Sequence, residues 1–190
     1  MSRITVRPFR PEDAADLVRG YIELYDERDS GEPVGITLFH ERPSAEDEKA
    51  WYDAQYARAQ SGESVYLVAE VDGHVVGNCI IGRVGPAVTS EQAHVGELGI
   101  SVDRKFRGRG IGTALLEQAL EQSHSKFEVL YLSVFSFNTR AQKLYERFGF
   151  TVCGLLPRAV KRRGQYFDLV RMARVFERPP VDPGPTVKPP

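Results

Sequence analysis

The sequence has few residues of the kinds that bind metals or form disulfides. Its 190 residues include two cysteines, Cys79 and Cys153, and four histidines. The cysteines are far apart and lie in apolar runs, which favours two buried free thiols over a disulfide and suits a reducing cytoplasm. The histidines have no HxxxH-like spacing, and no acidic stretch resembles a calcium-binding loop. The sequence therefore predicts no metal site.

The chain also lacks a strong net charge and a long hydrophobic run. Its 25 lysines and arginines nearly balance its 26 aspartates and glutamates, giving a formal net charge of −1. No overall field would draw such a protein to a nucleic acid or an anionic membrane, so any basic site must be local. No segment approaches ~18 uninterrupted apolar residues, and the N-terminus MSRITVRPFRPEDAADL has no apolar core of signal-peptide length. We therefore expect a cytoplasmic protein.

What is present is the composition of one ordinary globular domain. Hydrophobic residues make up 42% of the chain and charged residues 27%, and 190 residues suffice for a single sizeable core. Six of the twelve prolines fall within positions 179–190. We expect one domain over residues 1–176, followed by a disordered proline-rich tail over residues 177–190.

Hydrophobic periodicity and turn residues predict an α/β fold around one sheet. Pro11 and Ser44 begin amphipathic helices, Asp72-Gly73 is a hairpin turn, and Gly149 ends a short helix that begins at Asn138. The predicted strands lie near residues 4–9, 64–71, 74–84, 94–102, 127–135, 151–156 and 165–175, and another helix covers residues 110–122. The order is β-α-α-β-β-β-α-β-α-β-β.

The stretch FRGRGIGTALLEQAL, residues 106–120, places three glycines and two arginines at the start of a helix. Glycine costs stability there, so the stretch predicts an anion that approaches the backbone closely. A P-loop would need a Lys-Ser or Lys-Thr after the glycines, and none follows. A dinucleotide-binding fingerprint would need a glycine where Thr113 stands and an acid at the end of the next strand. The pattern that remains is Arg-x-x-Gly-x-Gly, formed by Arg107, Gly110 and Gly112.

At this pattern the sequence resembles the GNAT superfamily of N-acetyltransferases. The resemblance covers about residues 3–175 and includes the segments RPFRPEDA, HVGELGISV, RKFRGRGIGTALLEQAL and NTRAQKLYERFGF, in the family's order and spacing. The closing basic turn, with Tyr166-Phe-Asp168 and Met172 after it, resembles the branch of phosphinothricin and amino-acid N-acetyltransferases. The resemblance implies a mixed central sheet of about six to seven strands flanked by about four helices.

The resemblance implies acetyl-CoA as co-substrate, and the physical chemistry agrees. Free backbone N–H groups at the start of the helix can bind the pyrophosphate, and arginines can add charge-assisted hydrogen bonds. In the family the pantetheine arm lies between two splayed parallel strands, and an amide side chain holds it. The residues assigned in this way are Ile100, Ser101, Val102, Arg107, Gly108, Arg109, Gly110, Ile111, Gly112, Thr113 and Asn138. Without the resemblance, the stretch would equally fit a plain helix-start loop with surface arginines.

Two residues are candidates for the chemistry of acyl transfer. Glu97 lies in mid-strand on the same face as Gly99 and Ser101, and its position matches a proposed general base of the phosphinothricin-acetyltransferase branch. From the residues alone it would be a solvated strand residue. Tyr145 matches a family tyrosine that donates a hydrogen bond to the CoA sulfur, although its helix position alone would suggest a core residue.

The acceptor is the least determined part of the prediction. The branch implies a primary amine on a small molecule, such as an amino acid. Phe39, Tyr52 and Tyr166 could line its pocket or belong to the core, and the basic residues Arg158 and 161–163 could attract a carboxylate, meet the CoA 3′-phosphate or simply be solvated. The alternatives are an enzyme that acetylates protein N-termini or lysines, and a non-catalytic acyl-CoA-binding module. A homodimer is expected because many members of the family dimerise.

Overall fold

The computed structural model describes residues 3–31, 33–84 and 90–177, and it confirms the predicted α/β class and order of elements. All of the predicted tail except Glu177 lies outside the described residues. The strands are β1 (Ile4–Pro8), β2 (Ser64–Val71), β3 (His74–Arg83), β4 (Val95–Val102), β5 (Val129–Phe135), β6 (Thr151–Arg162) and β7 (Gln165–Val175). The helices are α1 (Ala14–Asp29), α2 (Ala45–Gln60), α3 (Ile111–Ser123) and α4 (Thr139–Arg147).

The seven strands form one mixed sheet in the order β1-β2-β3-β4-β5-β7-β6. The neighbours pair antiparallel except β4 and β5, which are parallel. Their pairing covers only three positions and ends at Glu97↔Tyr131. Among the described residues, 98–102 of β4 therefore pair with β3 on one side and with no strand on the other. This open strand edge positions the site.

Two apolar clusters cover the two faces of the sheet. On one face, α3 packs over β2, β3 and β4, with Leu115, Leu116 and Ala119 fully buried. On the other face, α1 and α2 pack over β2 and β3 through residues such as Leu17 and Tyr52. Alternating side chains of each strand supply both clusters, since successive residues of a strand point to opposite faces. The gap between β4 and β5 thus opens between two helical layers.

Local sequence explains where two of these helices begin and one ends. The Ser44 hydroxyl accepts a hydrogen bond from the Asp47 N–H (3.0 Å) and caps α2, as the sequence predicted. The Asn138 side-chain oxygen caps α4 by accepting from the Ala141 N–H (3.2 Å). Gly149, at φ +80°, follows the end of α4.

The structure corrects two predictions about β6. This strand continues to Arg162 rather than ending near residue 156, with irregular register between Leu156 and Val160. Cys153 was expected to be a buried thiol, but it is exposed because β6 is the edge strand and lies outside the core. Cys79 is a fully buried free thiol as predicted, and burial raises its pKa to about 12. No described helix is long and apolar enough to cross a membrane.

Candidate active site

A cavity of about 790 Å³ lies where β4 and β5 separate. Its walls come from α1, α2, the segment that connects them, β3, β4, β5 and α4. The volume is within the range of small-molecule and cofactor sites, and the cavity reaches from one helical layer to the other. Of the residues predicted from the sequence, Ile100, Ser101, Val102, Arg107, Gly112, Asn138 and Tyr145 line it.

The glycine-rich stretch forms the N-terminus of α3 and leaves its backbone donors available. Gly108 and Gly110 have φ values of +86° and +85°, a conformation that other residues rarely adopt. The first hydrogen bond of α3 runs from the Ala114 N–H to the Gly110 carbonyl (3.0 Å), so the N–H groups of residues 111–113 have no partner within the helix. The Ile111 side chain is buried, and only its backbone can contribute to the site. The arrangement suits an anion at the positive end of the helix.

The arginines near this loop differ in what they can reach. The Arg107 guanidinium forms two hydrogen bonds with the Glu27 carboxylate (2.9 and 3.1 Å) and a third to the Val102 carbonyl (2.9 Å). Its side chain therefore ties α1 to the end of β4. Arg109 lies over the Phe106 ring, 5.1 Å from its centroid. Arg140, which was not predicted from the sequence, lies beside the loop: its guanidinium would be 3.2 Å from a Cβ placed on Gly108.

Asn138 faces the connection between α1 and α2. Its side-chain oxygen caps α4, which leaves the Nδ2 amide to donate into the cavity. A Cβ on Gly35 would lie 2.5 Å from that nitrogen, so Gly35 is needed for the close approach. The Arg162 guanidinium holds both sides of Gly35 by donating to the carbonyls of Val34 and Ile36 (2.9 Å each).

Glu97 occupies the last paired position before the strands separate. It is exposed and lines a smaller cavity of about 250 Å³ that shares Ile80, Leu98 and Gly99 with the main one. Tyr131 is its partner across the strands, and burial together with the nearby Glu97 carboxylate raises the pKa of Tyr131. The side chain of Glu97 is thus next to the main cavity, on the side of β3 and α2.

Tyr145 reaches the main cavity from α4. The residue is 7% exposed, and its hydroxyl has no hydrogen-bond partner among the described residues. Burial is the largest cause of its raised pKa, with a smaller contribution from Cys79. The phenol therefore stays protonated and is available as a hydrogen-bond donor.

The acceptor candidates divide between the cavity and the surface. Phe39 and Tyr52 line the cavity, whereas Tyr166 does not and has the Arg158 guanidinium 4.0 Å from its ring centroid. Lys161 also lies over Tyr166, and Arg163 pairs with Asp29 (2.8 Å). None of the four basic residues considered for binding a carboxylate, Arg158 and 161–163, lines the cavity.

Two acidic residues of the cavity, Glu48 and Asp103, were not singled out from the sequence. Each lies in a polar stretch of ordinary appearance, and only the packing of α1 and α2 against the sheet brings them together. Glu27 was missed for the same reason, since its partner Arg107 is 80 residues away. Within the described ranges, no group of three or more His, Cys, Asp and Glu residues is placed to hold a metal ion.

Comparison with known proteins finds acetyltransferases both by sequence and by structure. The chain is 35% identical over 111 residues to the L-amino acid N-acetyltransferase AaaT of Escherichia coli, covering 57% of this chain and 67% of that protein. It is 28% identical over 167 residues to an L-methionine sulfoximine/L-methionine sulfone acetyltransferase of Pseudomonas paraeruginosa, covering 86% and 91%. A ribosomal-protein-alanine N-acetyltransferase from Brucella melitensis, a solved structure with 26% identity, gives a TM-score of 0.78 and covers 90% of this chain and 99% of that one.

The family assignment rests on a match to the whole central part of the fold. The sequence profile of the Acetyltransferase (GNAT) family matches residues 33–150, which is more than half of the chain. These residues run from α2 through α4 and include the open edge of β4 and the glycine-rich loop. The chain therefore belongs to the GNAT family, as the sequence motifs suggested, and is an N-acetyltransferase.

Proposed function

We propose that the protein transfers the acetyl group of acetyl-CoA directly to a primary amine of a small molecule, with both substrates bound at once. The observation that carries this proposal is the open edge of β4 between the free N–H groups of α3 and the carboxylate of Glu97. The strand edge offers backbone hydrogen bonds to the extended pantetheine arm. The N-terminus of α3, at one end of this edge, offers an anion site, and Glu97, at the other end, offers a base.

The groups along this edge match the parts of acetyl-CoA in order. Backbone N–H groups of 108–113 hold the pyrophosphate, and Arg109 and Arg140 add positive charge nearby. The backbone of residues 100–102 pairs with the pantetheine arm as a missing strand would, and the Asn138 amide donates to it. Arg107 acts through its backbone and through its contact with Glu27, because its guanidinium is already bound there.

Glu97 and Tyr145 divide the proton transfers between two sides of the gap. An alkylammonium with a pKa near 10.4 must lose a proton before it can attack the thioester. Glu97 accepts that proton, directly or through a water in the smaller cavity. The neutral amine forms the new C–N bond at the thioester carbonyl, and the C–S bond then breaks. The CoA sulfur leaves as a thiolate that accepts a hydrogen bond from the Tyr145 hydroxyl, and the second proton lost by the amine nitrogen converts it to the thiol. Alignment of the two substrates supplies much of the remaining rate gain.

The acceptor class follows from the relatives and from the size of the cavity. The names of the Escherichia coli and Pseudomonas paraeruginosa relatives give amino acids or amino-acid analogues as substrates, and a cavity of about 790 Å³ is of the size of small-molecule sites. The second candidate is an enzyme that acetylates protein N-termini, and the name of the Brucella melitensis relative, a ribosomal-protein-alanine N-acetyltransferase, likewise gives a protein as substrate. We expect the enzyme to act in the cytoplasm, since Cys79 and Cys153 are free thiols.

The test is acetyl-CoA-dependent thiol release over a panel of amino acids, diamines, aminoglycosides and N-terminal peptides. Turnover of a free small amine, with no turnover of peptides, is the expected result. Turnover confined to peptides would replace the proposal with the N-terminal acetyltransferase. Tight binding of acetyl-CoA with no turnover of any acceptor would favour a binding module. Light scattering on the same preparation tests the expected homodimer.

A further inference from the structure

The charged side chains of the main cavity do not balance. Among the described residues that line it, only Glu48, Asp103 and Arg107 carry a formal charge near neutral pH. Arg107 is neutralised by its two hydrogen bonds to Glu27, which is itself buried. Glu48 therefore has no matching cation among the described residues, and Asp103, which lies near Arg19 and Arg107, forms no ion pair with either.

Glu48 is the more unusual of the two. It lies in the first turn of α2 and is 7% exposed, and its carboxylate has no hydrogen bond or ion pair with any described residue. Burial raises its pKa, and the nearby Asp47 adds to this. A carboxylate with so little exposure and no partner is costly, and Glu48 lines a ligand cavity, so a ligand there is well placed to supply the partner.

Aromatic rings share the cavity with this carboxylate. Tyr21, Trp51 and Tyr52 line it together with Glu48. Burial is the largest cause of the raised pKa of both tyrosines, and the nearby Glu48 charge adds to it. Ring faces attract ammonium and guanidinium groups, particularly where water is excluded. The combination of a buried carboxylate with aromatic walls therefore favours a cation over a neutral polar group.

Asp103 adds negative charge at the end of β4. Burial is the main reason that the pKa of Asp103 is raised to about 6, and the nearby Glu23 carboxylate raises it further. The carboxylate packs against α1 at Gly20, where a Cβ would lie 2.5 Å from its Oδ1. Its position makes the α1 side of the cavity acidic as well.

We propose that the acceptor carries a second positive group, held by Glu48 among the rings of Tyr21, Trp51 and Tyr52, with Asp103 adding to the attraction. The acceptor is then a diamine or an amino acid with a basic side chain, rather than one with an apolar side chain. This inference rests on the proposed function, because it concerns the acceptor of the same reaction.

The test compares acceptors that have the same number of carbons and differ by one terminal ammonium group. Lysine is compared with norleucine, and 1,5-diaminopentane with pentylamine, by kcat/KM in thiol release. The native enzyme should prefer the dication by about 10- to 100-fold, the usual worth of a charge-assisted hydrogen bond. The variant Glu48→Gln keeps the shape of the side chain and should bring the preference close to unity. The control Glu46→Gln removes a charge from the exposed face of α2 and should preserve the preference.

A binding measurement keeps the inference separate from catalysis. Calorimetry on the CoA-saturated protein should show tighter binding of 1,5-diaminopentane than of pentylamine, and the difference should vanish in Glu48→Gln. Equal binding of both amines, or an equal preference in native enzyme and variant, would overturn the inference. Good turnover of norleucine with none of lysine would overturn it and leave the proposed function intact. If no amine is acetylated, the proposed function fails, and the calorimetric difference alone decides the inference.

Discussion

Breaking the pair formed by Glu27 and Arg107 is the most informative perturbation of the proposed acetyl-CoA site. The variant Glu27→Gln keeps the size of the side chain and removes its charge. The Glu27 side chain is 9% exposed and that of Arg107 38% exposed, so one partner is buried and the other can turn toward water. Breaking a fully buried pair costs about 3–5 kcal/mol, and the exposure of Arg107 reduces this to about 1–2 kcal/mol.

The expected consequence reaches the cofactor through Val102. Arg107 also donates to the Val102 carbonyl (2.9 Å), so freeing its guanidinium loosens the end of the β4 edge that the pantetheine arm would use. We expect the KM for acetyl-CoA to rise by about tenfold, which corresponds to 1.4 kcal/mol, while kcat changes little. Steady-state kinetics and urea unfolding of the variant measure the two effects.

A second variant separates this indirect role from direct contact with the pyrophosphate. Arg107→Lys keeps the charge but loses the two parallel hydrogen bonds of the guanidinium to Glu27, so the double variant with Glu27→Gln should be no worse than the poorer single variant. The KM for acetyl-pantetheine, which lacks the pyrophosphate, should rise with both substitutions as the KM for acetyl-CoA does. Additive effects of the two substitutions, or a loss with Arg107→Lys that disappears with acetyl-pantetheine, would refute the reasoning.

Three further predictions concern single residues of the cavity. Gly35→Ala places a Cβ 2.5 Å from Asn138 Nδ2, so it should raise the KM for acetyl-CoA severalfold and lower the Tm, whereas an unchanged KM would argue against the assigned contact of Asn138. Because the pKa of Asp103 is raised from 3.8 to about 6, the native protein binds more protons than the unfolded chain between these values, and its free energy of unfolding falls as the pH rises through them. Relative to the native protein, Asp103→Asn should therefore gain about 1–2 kcal/mol of stability at pH 7, after allowance for solvent screening, and nothing at pH 3; a gain that is independent of pH would contradict this. Tyr145→Phe should lower kcat by about 10- to 100-fold at unchanged acetyl-CoA affinity, and unaltered turnover would remove its donor role.

The elements and their order were predictable because each carries a local pattern. The Ser44 cap, the hairpin at Asp72-Gly73 and the glycines before α3 all act through nearby residues. The boundary of β6 and the exposure of Cys153 were not predictable in this way, because both depend on β6 lying at the edge of the sheet. An apolar run looks the same in an edge strand as in a central one.

The candidate site shows the same division. The glycine-rich loop and Asn138 belong to contiguous motifs, and Arg107 and Gly112 of the loop line the same cavity as Asn138, whereas residues 108–111 and Thr113 do not line it. The partner of Arg107 was not predictable, since Glu27 is separated from it by 80 residues and helix α1 shows no pattern that marks it. Glu48 looks like any first-turn acid of a helix, and only the folded chain shows that it is buried.

The central claim is that the carboxylate of Glu97, at the point where β4 and β5 separate, removes the proton from the acceptor amine. It is tested most directly by the rate of acetyl transfer in Glu97→Gln at saturating acetyl-CoA over a range of pH, with Glu121→Gln on the exposed side of α3 as control. We predict that Glu97→Gln lowers the rate by about 100-fold or more near neutral pH, that the loss shrinks as rising pH deprotonates the free amine, and that acetyl-CoA affinity is unchanged. A rate equal to that of the native enzyme and the control at every pH would contradict the account.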